Sequence, residues 1–218
     1  MLQRFVYRAV LVLLCSIPWH PVNAAKDMAG AKDHPEIPRI EGSVIYGYEY
    51  SDFDRGKFLV REDGRYKIVS PEGKRTRIFY LAPKSYTVAS VFANYRTALA
   101  ELGEVETLYS CEQNCSNDLE MSLIWQEDNR VKTSLRGAEK LYQVGVGSQA
   151  GVPQNFTNNG YAYATITSDQ ARYHVSIYTA LFVKGGFFRM EPDVTDTRSV
   201  HIEIAEEAGF TPTLEIAV

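Results

Sequence analysis

Basic clusters, phosphate loops and long apolar runs are all missing from this sequence, and each absence removes a class of function. The formal charge is −4, with 23 Lys and Arg against 27 Asp and Glu, and no stretch concentrates the positive residues. A nucleic-acid partner calls for a basic face that neutralises phosphates, so none is expected. Gly145-Val146-Gly147-Ser148-Gln149-Ala150-Gly151 lacks the Gly-Lys-Ser/Thr ending and the GxGxxG spacing, so no nucleotide cofactor is implied. No GxSxG elbow occurs, and no Ser/His/Asp set stands out, so no catalytic residue is assigned. Cysteine is scarce, with three in 218 residues. His34, His174 and His201 are too scattered to complete a zinc site with the cysteines, so no metal is expected.

An apolar run without a charge, Ala9–Ile17, follows Arg4 and Arg8 and precedes Val22-Asn23-Ala24. Positive end, apolar core and small-residue cleavage site together read as a secretory signal over residues 1–24. The run is far shorter than the roughly 20 residues that span a bilayer, so no transmembrane segment is expected to be retained. Cys15 is not a lipid-attachment site, because Leu14 before it is not small. Residues 25–218 are then expected to form a single compact domain, since no Gly/Ser- or Pro-rich linker divides them. In an oxidising compartment Cys111 and Cys115, spaced CxxxC, are expected to form a disulfide that pins a local turn.

Residues Lys26–Arg39 read as a polar, extended lead-in. Strands are expected at Ser43–Tyr50, Lys57–Val60, Tyr66–Val69 and Thr76–Leu81, with Asp63-Gly64 supplying the positive φ of a tight hairpin. In Ser85–Leu102, Val88, Val91, Phe92, Tyr95, Ala98, Leu99 and Leu102 recur at helical steps, predicting one long amphipathic helix. Ser85 or Thr87 is placed to cap its start, and Gly103 suits a left-handed residue past its end. Glu104–Ser110 reads as a strand, Met121–Trp125 as another, and Ser134–Tyr142 as a second, short helix. Tyr161–Thr167 and Arg172–Val183 alternate around Ser168-Asp169-Gln170-Ala171, a hairpin connection. Phe187–Met190, Ser199–Ile204 and Thr213–Val218 complete the β-prone runs. The expected fold is α+β: a mainly antiparallel, twisted sheet with the long helix packed on it.

His201-Ile202-Glu203 is an HxE triplet, but the PCxxC partner of zinc deaminases is absent. In a strand both side chains share a face, so an exposed ion pair or polar stripe is expected. His174 is expected to be a partly buried strand histidine. Fourteen Tyr, ten Phe and two Trp suit cross-strand aromatic packing, and the same residues could line a groove or partner surface.

Asp33-His34-Pro35-Glu36-Ile37-Pro38-Arg39, Gly42-Ser43-Val44-Ile45, Thr76-Arg77-Ile78-Phe79-Tyr80-Leu81-Ala82-Pro83, Asn94-Tyr95, Ala98-Leu99 and Leu108-Tyr109-Ser110-Cys111 together form a familiar linear pattern. It resembles a bacterial domain of unknown function that typically forms the N-terminal part of OmpA-family envelope proteins. The resemblance implies a Gram-negative protein of the periplasm, with peripheral outer-membrane association as a variant, and brings no catalytic residue. The OmpA-like peptidoglycan-binding domain that usually follows has no counterpart up to Val218, so cell-wall anchoring is not carried over. The expected function is a non-enzymatic module that binds another envelope component by a sheet edge or aromatic surface. Two alternatives stand beside it: a small-molecule or lipid carrier with an apolar groove under Ser85–Leu102, and an unrecognised hydrolase using His174 or His201.

Overall fold

The structure, a computed structural model, describes residues 26–112, 115, 131–134, 156–182 and 193–210. In chain order these form β1 (Val44–Arg55), β2 (Phe58–Glu62), β3 (Arg65–Val69), β4 (Glu72–Ala82), α1 (Val88–Leu102), β5 (Glu104–Cys111), β6 (Phe156–Thr167), β7 (Arg172–Phe182) and β8 (Arg198–Glu207). Six strands make one sheet in the order β1-β4-β8-β7-β6-β5, and β2 and β3 form a separate hairpin. Every neighbouring pair is antiparallel. The pairing of β4 with β8 sets Ile78 beside Ile202 and Phe79 beside His201, interleaving the two halves of the chain.

The expected α+β class is corrected. Strand accounts for 54% and helix for 11% of the described residues, and α1 is the one helix among them. The physical reason lies in length: β1, β4, β6, β7 and β8 each run ten to twelve residues, several longer than their apolar alternation indicated, because ladder hydrogen bonds continue past the side-chain pattern. The expected second helix over Ser134–Tyr142 lies, except for Ser134, outside the described residues. The leader 1–24, Met121–Trp125, the glycine-rich Val144–Gln154, Phe187–Met190 and Thr213–Val218 lie outside them too.

Both faces of the sheet are covered. On one, Ile78, Tyr80, Ile166, Val175, Ile177, Val200, Ile202 and Ile204 pack against the stripe of α1 and against Ile37 and Ile40 of the lead-in. On the other, Tyr46, Phe79, Tyr161, Tyr163, Tyr178 and Phe182 meet Phe58, Leu59 and Val60 of the hairpin. Strands buried on both sides lose the inside–outside contrast of a one-sided sheet. β8 accordingly buries eight consecutive residues, polar ones included.

The local causes are specific. Asp63 (φ 50°) and Gly64 (φ 76°) both take positive φ, as the β2–β3 turn requires. Thr87 caps α1: its hydroxyl accepts from Ser90 N–H while Ser90 Oγ accepts from Thr87 N–H, so two otherwise orphaned donors are satisfied. Two glycines then seat the helix on β6. A Cβ at Gly160 would lie 2.6 Å from side-chain carbons of Val88 and Phe92, and one at Gly103 would lie 2.2 Å from the Thr167 carbonyl oxygen. Gly103 is therefore required for close approach. The left-handed role expected for it is not observed, since its φ is 162°. Fifteen helical rises of about 1.5 Å and seven strand rises of about 3.3 Å both come to roughly 22–23 Å, so α1 runs alongside β6 from Gly160 to Thr167.

Candidate functional site

His174, His201 and Glu203 sit on the face of the sheet opposite α1. His201 and Glu203 do share a face, but that face is interior: they are 5% and 7% exposed. The expected exposed stripe is corrected, because Tyr46, Phe79 and Tyr178 enclose His201 while Arg75 and the Lys57 N–H just before β2 close over Glu203. His201 stacks on Phe79 with ring centroids 3.9 Å apart, and its Nε2 meets the hydroxyls of Tyr46 and Ser199. Burial holds the His201 pKa well below the usual histidine range. So weak a base does little to activate Ser199, which is itself fully buried.

Glu203 accepts from Arg75 Nη2 at 2.6 Å and Nε at 2.9 Å, and from the Lys57 N–H at 3.0 Å. Arg75 Nη1 also donates to Asp54 at 2.9 Å. The buried carboxylate thus ties the hairpin's start to β4 and β8. Paired and hydrogen-bonded on this scale, it is an internal tie with its bonding capacity directed inward.

His174 is more buried than expected and joins three strands. Tyr163 Oη lies 2.6 Å from its Nδ1, and Glu207 Oε2 lies 3.2 Å from its Nε2. Burial raises the Tyr163 pKa and lowers that of His174, the nearby Glu207 only partly offsetting the latter. The phenol therefore keeps its proton and donates to Nδ1, leaving Nε2–H to donate to Glu207. Phe58 stacks on Tyr163 at 4.9 Å and seals the set beneath the hairpin. Tyr163 and Glu207 were not legible as partners of His174, because cross-strand register alone brings them together. Cys111 and Cys115 stand at disulfide distance, Sγ to Sγ 2.09 Å. His34 remains apart, with Tyr173 edge-on at 6.1 Å. Among the described residues no cluster of three metal-ligating side chains occurs.

A different site lies on the opposite face, where α1 spans β5, β6 and β7. A cavity of about 340 Å³ opens there. Its floor is Ala162 and Ala164 of β6 with Val175 and Ile177 of β7, and its roof is Phe92 and Leu99 of α1. The space follows from the seating of the helix. Glycines hold its two ends close to β6, while alanines between them leave the middle unfilled. Tyr161-Ala162-Tyr163-Ala164 carried the signal as large and small side chains on alternate positions. The large set fills the hairpin side and the small set empties the helix side. Polar groups gather at the mouth, where Arg96 Nη1 on α1 donates to Glu112 Oε1 just past β5.

Compared with known protein families and with curated proteins, the chain matches none. Among the described residues no helix is long and apolar enough to cross a membrane.

Proposed function

We propose that this chain is a non-enzymatic module of the bacterial cell envelope that binds a small apolar molecule in the cavity between α1 and strands β5–β7. The cavity carries this reading: a concave, largely apolar space with a few convergent polar groups at one opening is the usual form of a small-molecule site. Export is supported by the Arg4/Arg8, Ala9–Ile17 and Val22-Asn23-Ala24 pattern and by the Cys111–Cys115 pair. The resemblance to the OmpA-associated domain points to the same compartment. A hydrolase draws little support from His174 and His201, whose side chains are enclosed by hydrogen-bond partners and aromatic rings. The test is native mass spectrometry of protein taken from the periplasm. A discrete added mass is expected, and an empty mass across repeated preparations would reject the carrier.

A second reading keeps the envelope partner. β1 is an edge strand, and its far half exposes Phe53 (63%) and Tyr50 (48%). An extended segment of a partner could add to that edge with its side chains on these rings. Capture from envelope extracts should recover a partner that Phe53→Lys loses. Equal recovery with the variant would reject this edge.

A further inference from the structure

The cavity's mouth is more specific than its walls. Its floor and roof side chains are hydrocarbon, whereas its rim is lined by the paired Arg96 and Glu112 and by two hydroxyl residues, Thr107 and Ser110. Arg96 lies one helical turn from Phe92 and one from Ala100, both of which also line the space, so its stem runs along the edge of the roof. Building on the carrier reading, we infer that the site takes a medium-chain carboxylate amphiphile. Its alkyl chain lies over Ala162 and Ala164, and its head rests on Arg96.

Three observations select this ligand. The first is size. About 340 Å³, at about 30 Å³ for each water-sized group, accommodates roughly eleven such groups, a chain of medium length. The second is the donor inventory. A guanidinium offers five N–H donors in a planar fork that matches a carboxylate, and Glu112 engages Nη1 alone. An incoming carboxylate fits the rest of the fork without displacing Glu112, and the Thr107 and Ser110 hydroxyls add donors on the β5 side. A cationic head would instead share one carboxylate with the guanidinium already on it. The third is cost. The Arg96 and Glu112 side chains are 60% and 42% exposed, so the fold depends little on the pair, and the guanidinium is free to turn its open donors toward a ligand while keeping Glu112.

Glu112 also follows Cys111 directly, so the Cys111–Cys115 link restrains the chain that carries it. The mouth is therefore bounded by Arg96 of the helix on one side and by Glu112, next to a disulfide-bonded cysteine, on the other.

The test compares decanoate, decanol and decyltrimethylammonium, titrated calorimetrically into the delipidated mature protein. Decanoate should bind one to one and at least fivefold more tightly than either other probe. Arg96→Gln, an exposed change that leaves the core untouched, should bring decanoate down to the decanol level. Ala164→Phe should abolish all binding; if it does not fold, Ala162→Leu fills the same floor. Binding of none of the three probes by the wild-type protein overturns the carrier reading itself. Equal binding of decanoate and decanol, unchanged in Arg96→Gln, overturns only the assignment of the head group, as does a preference for the cation.

Discussion

Gly160→Ala probes how the helix meets the sheet, because its two opposing contributions can be weighed. Gly160 is not in the left-handed region, so alanine fits its backbone, and removing a glycine from the unfolded chain stabilises by about 0.4–1 kcal/mol. Against this, the new Cβ would sit 2.6 Å from both Val88 Cγ1 and Phe92 Cε2, where carbons in contact prefer roughly 3.5–4.0 Å. Either α1 lifts by about 1 Å or two buried side chains leave their rotamers, and such overpacking costs about 1–3 kcal/mol. Crowding wins, with a net loss of about 1–2 kcal/mol. At roughly 2–4 °C per kcal/mol for a chain of this size, the melting temperature falls by about 2–8 °C. Ala162→Val, two residues along on the same face, should do the reverse, since its added methyls enter the cavity at about 0.8 kcal/mol each. Thermal melts followed by circular dichroism read both. A Gly160→Ala protein that melts at or above wild type would show that α1 does not rest on β6 at this point.

Glu203→Ala leaves Arg75 buried and short of its main partner, and should cost about 3–5 kcal/mol in urea unfolding. A loss below 1 kcal/mol would mean that this pair is not buried. Val91→Asp brings a charge into the stripe under α1, where Val91 has no measurable exposure; the loss should be several kcal/mol, and an unchanged melt would refute the packing of the helix. Stability should also fall with acid. His34, His174 and His201 are all held below the ordinary histidine pKa of 6.5 by burial, His34 at about 4. The unfolded chain therefore takes up protons first as the pH drops through about 6.5. Each histidine then removes up to about 1.4 kcal/mol per pH unit, and for His34 the loss levels off below about pH 4. Urea midpoints measured from pH 8 to pH 4 should decline below pH 6.5, and a flat series from pH 7 to pH 5 would contradict the enclosure of these rings.

Much of the local structure was legible beforehand because its causes are local. The apolar steps from Val88 to Leu102, the Thr87 cap, the Asp63-Gly64 turn and the Ser168–Ala171 connection between β6 and β7 each depend on a few neighbouring residues. The fold class was misjudged because strand length is set by ladder partners that the linear pattern does not display. The groove under Ser85–Leu102 was one of three functional expectations, and no lining residue came with it. That Ala162 and Ala164 form its floor depends on the distance at which α1 is held, and that distance is governed by Gly160 and Gly103, which show their role only in three dimensions.

His201-Ile202-Glu203 shows where the boundary falls. Alternation along the strand determined that His201 and Glu203 would share one face and Ile202 the other, since successive residues of any strand point oppositely. Whether that polar face met water was decided only when side chains from β1, β4 and β7 and the chain at Lys57 closed around it, and the same side chains then became interior ties to Tyr46, Ser199 and Arg75. Period and capping are properties of neighbouring residues. Enclosure depends on which distant segment arrives above them, and on what space remains once it has.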